Sequence, residues 1–392
     1  MFLELLSLSD FRTYEQLDVR LTVGATVFVG PNGIGKTNIL EAMGYLSTLS
    51  SHRVSSDAPL IRFGSERALI RAKMIRGGQT SSLELEINGS KANRARINRG
   101  NPGRARDVLG ICRTVMFAPE DLALVKGDPG IRRRFLDELM VSLVPHHAAT
   151  RTDYERVLKQ RNALLKSSRG GRFTSGHEAT LDVWDQHMAQ AAARLLHARI
   201  DVLKQLEPHF ARAYGELTDG SKAARAVYQS SLEITEDEDA KVGIQRGDSP
   251  PGRPVGSIED TTLRYLEAFC TVRKKELERG ISLVGPHRDD IQLVLGSAPA
   301  KGFASHGESW SVALSLRIGS YYLLCEDDPA PGATPVLMLD DVFAELDRQR
   351  RTKLAAIVST AEQVLLTAAV LEDIPETLEA RRVNVVAGGI SE

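Results

Sequence analysis

Cysteine is scarce in this 392-residue chain: Cys112, Cys270 and Cys325 stand far apart, and none belongs to a CxxC pair. That excludes a disulfide framework and a thiolate zinc site, and three reduced thiols suit an intracellular protein. A membrane-spanning run is missing as well, since no apolar stretch approaches about 18 residues. The opening MFLELLSLSDFRTYEQLDV carries acids early and lacks a basic start, so it does not read as a secretory signal. The expectation is a cytoplasmic protein without a membrane partner. An excess of one charge is also absent: 50 Lys and Arg stand against 51 Asp and Glu, a net charge of −1. Such a chain is no bulk polycation, so any nucleic-acid binding must come from local patches.

What is present is the material of a folded protein. Hydrophobic residues make up 42% and charged residues 26%, which supports an ample core. At about 150 residues per domain the length suggests two or three units. Near the N-terminus Leu3 to Leu8 is a short apolar run, and Leu17, Val19 and Leu21 alternate like a half-buried strand. Ala25 to Val29 is a continuous β-prone run of the kind buried on both faces. A glycine-rich turn follows, then a helical stretch from Asn38 to Met43. Residues 68–75 and 82–87 read as strands, and Asn88-Gly89 as a hairpin turn. From about Arg132 the apolar spacing becomes helical, with stripes through Phe135 to Leu143, Tyr154 to Leu165 and Trp184 to Leu196. Ser167–Gly171 and Gly243–Gly256 read as loops, and Glu236–Asp239 as a solvated acidic run. Strand patterns return at 291–295, 335–339 and 363–367, around a helix over 312–324. An α/β pattern thus opens and closes the chain, and a helical block interrupts it. The reading is one nucleotide-binding core split by an insertion, with 1–131 and 281–392 as its two parts and 132–280 as an inserted helical lobe.

Gly30-Pro-Asn32-Gly33-Ile-Gly35-Lys36-Thr37 satisfies GxxxxGK[ST], between a strand and a helix as the phosphate loop requires. Gly30, Asn32, Gly33, Gly35 and Asn38 belong to the loop and helix start, where backbone N–H groups and the helix dipole meet phosphate. Lys36 reaches the β and γ phosphates, and the Thr37 hydroxyl ligates Mg²⁺. Val336-Leu-Met-Leu-Asp340-Asp341 has the Walker B form, an apolar strand ending in two carboxylates. Asp340 would hold the Mg²⁺ shell and Asp341 would polarise the attacking water. Ala304-Ser305-His306-Gly307-Glu308 precedes a helix, and Asp347 follows Walker B. For DNA, Lys91, Arg94, Arg96, Arg99, Arg104 and Arg106 lie within sixteen residues that carry no acid. Arg132-Arg133-Arg134 and His52-Arg53 are further basic candidates. Residues 326–347, by contrast, carry seven acids and no base.

The segment at Ser305-His-Gly307 resembles the signature of ABC-type ATPases, in which a serine and glycine N–H groups bind the γ-phosphate held by the opposite subunit. Several further stretches resemble the RecF family of bacterial DNA replication and repair ATPases, relatives of SMC proteins. They are Leu8-Ser-Asp-Phe-Arg12-Thr-Tyr, Phe117-Ala-Pro-Glu-Asp-Leu122, Arg132-Arg-Arg-Phe-Leu-Asp137, the run from Tyr154 to Leu165, and Gly285-Pro-His-Arg-Asp-Asp290. They extend over nearly the whole chain. The resemblance implies an ABC-type ATPase head made from both ends of the chain. It further implies an ATP-dependent homodimer that clamps single-stranded, double-stranded or gapped DNA at the nucleoid, with recombination mediators as partners and slow hydrolysis as release. Departures are the missing switch histidine at Thr367-Ala-Ala369 and the lack of a clear Q-loop glutamine. A metabolic phosphotransferase and a transporter's nucleotide-binding subunit are the competing readings of the same loop. The signature-like segment and the Gly285–Asp290 stretch disfavour the first, and the long helical block the second.

Overall fold

The computed structural model describes residues 1–167, 175–220, 222–233 and 256–391. The loop read at 167–171 beyond Ser167, the acidic run at 236–239 and the loop read from 243 up to 255 lie outside them. Two units emerge: residues 1–122, 208–223 and 306–392 form the first, and 123–207 and 224–305 the second. These limits differ from those read off the sequence at 131 and 280. Strand pairing accounts for one difference, since the segment at 290–295 pairs with 224–229 and therefore goes with the second unit.

The first unit holds two sheets. β1 (Phe2–Phe11), β2 (Tyr14–Arg20), β4 (Arg67–Arg76), β5 (Gln79–Asn88), β6 (Arg94–Ile97) and β7 (Gly103–Arg104) form an antiparallel sheet in the order β2-β1-β4-β5-β6-β7. The β1–β4 register slips between Leu3 and Leu5, so burial passes from Leu3 to Leu6 and Leu8, as a bulge requires. The tight hairpin turn is Gly77-Gly78, with φ of +53° and +80°, rather than Asn88-Gly89. Asn88 instead opens a longer link to β6, closed by its N–H on Asn93 Oδ1 at 2.9 Å.

The other sheet of this unit has β3 (Gly24–Val29), β8 (Thr114–Phe117), β12 (Val336–Asp340), β13 (Gln363–Ala368), β14 (Ala380–Val386) and β15 (Gly389–Ser391), in the order β15-β14-β3-β13-β12-β8. Its strands from β14 through β8 run parallel. Covered on both faces, β12 and β13 bury every residue, which is why they read as unbroken apolar runs. Between the sheets lies α1 (Lys36–Thr48), whose Ile39, Leu40, Met43 and Leu46 join Leu6, Leu8, Ile70, Leu85, Met338 and Leu365 in one core.

α7 (His306–Asp327) is buried along most of its length, and α8 (Arg348–Val358) follows β12. Gly319 on α7 allows close approach of the backbone at 208–218: a Cβ there would sit 2.9 Å from the Phe210 nitrogen. Backbone cannot swing aside as a side-chain tip can. Gly319→Val is therefore expected to lower the unfolding free energy by about 1–3 kcal/mol, read from urea denaturation.

The second unit contains α3 (Pro129–Leu143), α4 (His147–Ser167), α6 (Ile258–Arg279) and the first part of α5 (Ser175–Thr218). It also holds an antiparallel sheet of β9 (Ala224–Gln229), β10 (Asp290–Leu295) and β11 (Ala298–Pro299). Its helix stripes meet around a charged knot. Arg161, fully buried, donates to Asp185 at 2.6 Å, to Glu276 at 2.7 Å and to Ser282 at 2.8 Å, with Phe269 under its guanidinium. The Gly285–Asp290 stretch supplies a neighbouring polar knot. Tyr154 and His287 share a 2.6 Å hydrogen bond, and Asp289 accepts from Tyr228 at 2.8 Å and from the Ser231 N–H at 2.7 Å. Gly285, at φ +134°, leaves the space that the Tyr154 hydroxyl needs. Among the described residues no helix is long and apolar enough to cross a membrane.

Candidate functional site

β3 ends at Val29, and the chain turns through a loop that only small residues allow. Gly33 and Gly35 have φ of +81° and +119°. A Cβ on Gly30 would meet the Val385 carbonyl at 2.7 Å, and one on Gly35 the Tyr14 hydroxyl at 2.8 Å. Burial pushes the Tyr14 phenol up to about 12, so it stays neutral and donates to the Gly35 carbonyl at 3.1 Å. Lys36 curls over the loop, with its ammonium 2.7 Å from the Gly30 carbonyl and 3.2 Å from both the Pro31 carbonyl and Asn32 Oδ1. Asn38 donates to Thr13 at 3.0 Å.

Thr37 and Asp340, 303 positions apart, meet because β12 and α1 pack together. The Thr37 hydroxyl donates to Asp340 Oδ1 at 2.9 Å, and Thr367, at the end of neighbouring β13, donates to the same oxygen at 2.6 Å. Burial raises the Asp340 pKa, against the lowering effect of these two hydroxyls. Asp341 leaves the strand at φ +52°, a left-handed conformation that aspartate tolerates better than most residues. Its N–H is tied to Thr367 Oγ1 at 2.9 Å, and its pKa is also raised, chiefly by burial.

A concavity of about 1850 Å³ joins Asn32, Gly33, Gly35, Lys36, Thr37, Asn38 and Asp341 to Arg53, Lys91, Arg94 and Arg96. Eight Lys and Arg line it against four Asp and Glu, so its field suits a polyanion. Arg53 donates to Asn38 Oδ1 at 3.1 Å, which places it beside the phosphate loop. Arg99 is exposed at φ +60° on the turn after β6 and does not line the concavity.

Arg132 and Arg133 require a correction as DNA candidates. Arg132 is 5% exposed; it forks onto Asp290 at 2.7 and 2.9 Å and donates to the carbonyls of Leu124 and Gly127. Positive charge near a helix start opposes the helix dipole, but this guanidinium satisfies a carboxylate and carbonyls of the preceding turn. Arg133 is half-buried and donates to the Asp289 carbonyl. Arg132 holds the second unit together instead of facing solvent, and Arg133 is tied down within the same unit. Ser305 and Gly307 stand at the start of α7 and are not among the residues lining the concavity.

Some residues escaped the sequence reading. Glu41, on the inner turn of α1, is 1% exposed and receives a fork from Arg12 at 2.6 and 2.8 Å, with Ser51 on the same carboxylate. Only the unexpected acid within an apolar helix signalled it. Asp121 pairs with Arg317 of α7 at 2.6 Å and caps the Ala118 N–H at 3.0 Å.

A phosphate loop between a buried parallel strand and a helix, with a second buried strand ending in paired aspartates beside it, defines an ABC-type ATPase head. Both ends of the chain build it. The model of the RecF/RecN/SMC N terminal domain matches residues 2–391. "DNA replication and repair protein RecF" of Arthrobacter sp. (strain FB24) is 66% identical over 397 residues, covering 100% of this chain and 99% of that one. The protein of the same name from Pseudarthrobacter chlorophenolicus is 67% identical with the same coverage. The chain belongs to the RecF family. Among solved structures, the recombination mediator protein RecF-ATPrS in the RecFOR pathway aligns with a TM-score of 0.85 at 23% identity, over 100% of this chain and 97% of that one. An Smc head domain from Pyrococcus furiosus, bound to the C-terminal domain of ScpA, aligns at 0.52 and 15% identity, over 100% and 95%.

Proposed function

We propose that this protein is an ATP-dependent DNA-binding protein of recombinational repair and replication-fork maintenance. Its head binds ATP, closes as a homodimer on DNA and reopens after slow hydrolysis. The observation that carries the reading is the electropositive concavity that joins the phosphate loop to Asp341, with buried Asp340 held on Thr37 of its lining. Relatives of two-thirds identity named for DNA replication and repair support the biological setting, and neighbours named for the RecFOR pathway suggest mediator partners. Glycine N–H groups and Lys36 would take the β and γ phosphates. One hydroxyl and one carboxylate oxygen, 2.9 Å apart, suit Mg²⁺, which takes few protein ligands and completes its shell with phosphate and water. When bound, the ion would neutralise charge developing on the phosphates. Asp341 would orient and polarise the attacking water, and its raised pKa favours a base over a spectator carboxylate. Lys91, Arg94 and Arg96 are assigned to DNA phosphates, and Arg53 to the nucleotide side of the concavity. Arg99 would extend the DNA contact beyond it.

Ser305 and Gly307, away from the concavity, are assigned to the γ-phosphate held by a second copy. Ser305→Arg is therefore expected to keep ATP binding while losing ATP-induced dimerisation and DNA retention. Gel filtration with and without ATP reads the first loss and filter retention the second. A variant that dimerises like the wild type would overturn the assignment.

A further inference from the structure

The concavity is chemically mixed. One part of its lining is the phosphate loop; another is the segment from Ala58 to Arg67, where the apolar Ala58, Pro59, Ile61 and Phe63 stand among Arg62, Ser65 and Glu66. Phe63 is fully exposed, at 101% relative accessibility. Lone exposed apolar residues are ordinary on protein surfaces, so exposure alone says little. The support beneath this ring says more. Residues 62–65 form a turn closed by the Ser65 N–H on the Arg62 carbonyl at 2.9 Å, with Gly64 at φ +88° in its third position. Asp10 grips that turn three times. Its carbonyl accepts the Arg62 N–H at 2.8 Å, and its Oδ1 accepts Arg62 Nε at 2.7 Å and the Ser65 hydroxyl at 2.9 Å. The segment just before is tied to the phosphate-loop helix through Arg12. Arg12 donates to the carbonyls of Leu60 and Pro59 while its guanidinium forks onto Glu41 of α1. The backbone that carries this ring is thus anchored to the helix that follows the phosphate loop, and ring and loop line one concavity.

We propose that Phe63 is the stacking platform for the base of the nucleotide whose phosphates occupy the loop. This rests on the nucleotide reading above and adds to it the site of the base. A purine nucleoside triphosphate complements this lining, with a polyanion for the phosphate loop and a planar π-face for the Phe63 ring. Ring-on-base stacking needs no hydrogen-bond code and is strong enough to matter for affinity.

The test compares Mg²⁺-ATP with Mg²⁺-tripolyphosphate by calorimetry, on the full chain and on Phe63→Ala and Phe63→Trp. Phe63→Ala is expected to weaken ATP about tenfold, leave tripolyphosphate unchanged, and be rescued by Phe63→Trp. Equal weakening of both ligands, or of neither, overturns the proposal. So does loss of DNA retention with ATP affinity intact, which would make Phe63 a DNA contact. If the wild type binds tripolyphosphate as tightly as ATP, the base contributes nothing and the proposal falls while the phosphate site stands. If the wild type binds neither ligand, the nucleotide reading fails with it.

Discussion

Lys36→Ala is expected to weaken ATP binding by at least 100-fold, and with it ATP-dependent dimerisation and DNA retention. The ammonium sits over the loop, within 3.2 Å of three loop oxygens, so it is already placed where the β and γ phosphates would lie. Two charge-assisted hydrogen bonds to phosphate, at about 1.5–3 kcal/mol each, exceed that factor of 100 together. The fold should lose a little stability as well, because Lys36 is only 5% exposed and the Gly30 and Pro31 carbonyls lose their donor with it. Calorimetric titration with ATP alongside a thermal melt separates the two effects. Unchanged affinity would remove the phosphate loop from the proposed function.

Arg161→Met should have the largest effect on stability, about 3–5 kcal/mol, and none on the phosphate loop itself. The guanidinium is fully buried and its partners Asp185 and Glu276 are almost so. Removing one member of a buried charged set leaves the others desolvated without compensation, which costs more than the set itself contributes. Asp185 keeps Arg273 at 2.6 Å, whereas among the described residues Glu276 keeps only the Leu283 N–H at 2.7 Å. Glu276 is therefore the residue left stranded. Adding Glu276→Met to Arg161→Met should recover part of the loss, a reversal that a simple packing defect would not show. Urea denaturation of the single and double variants measures it.

The sequence exposed those parts of the site that are contiguous. The loop from Gly30 to Thr37 and the strand ending at Asp340-Asp341 carry fixed spacings set by local backbone geometry. Buried strands announced themselves as unbroken apolar runs. Contacts made across hundreds of residues left no such trace. Thr367 drew notice only for the histidine absent nearby, yet its hydroxyl holds the same Asp340 oxygen as Thr37. Glu41 and Arg12 are 29 positions apart on different elements, and nothing local pairs them. Basic clusters were the least legible, because charge along a chain does not say where a side chain points. Lys91, Arg94 and Arg96 reach the concavity, whereas Arg132 turns inward onto Asp290.

The placement of β3 also governs how the molecule is made. Its two neighbours, β13 and β14, are supplied by the far end of the chain, and the Leu3 N–H finds its acceptor, Gln363, 360 positions later. On the ribosome, therefore, the strand that carries the phosphate loop emerges early and waits with both hydrogen-bonding edges unpaired. At about 5–20 residues per second that wait lasts some tens of seconds. Throughout it the nascent polypeptide offers a template for intermolecular strand pairing. The nucleotide pocket is consequently among the last features to mature, and interrupted translation should leave a product that aggregates, with every phosphate-loop residue present and the pocket unformed.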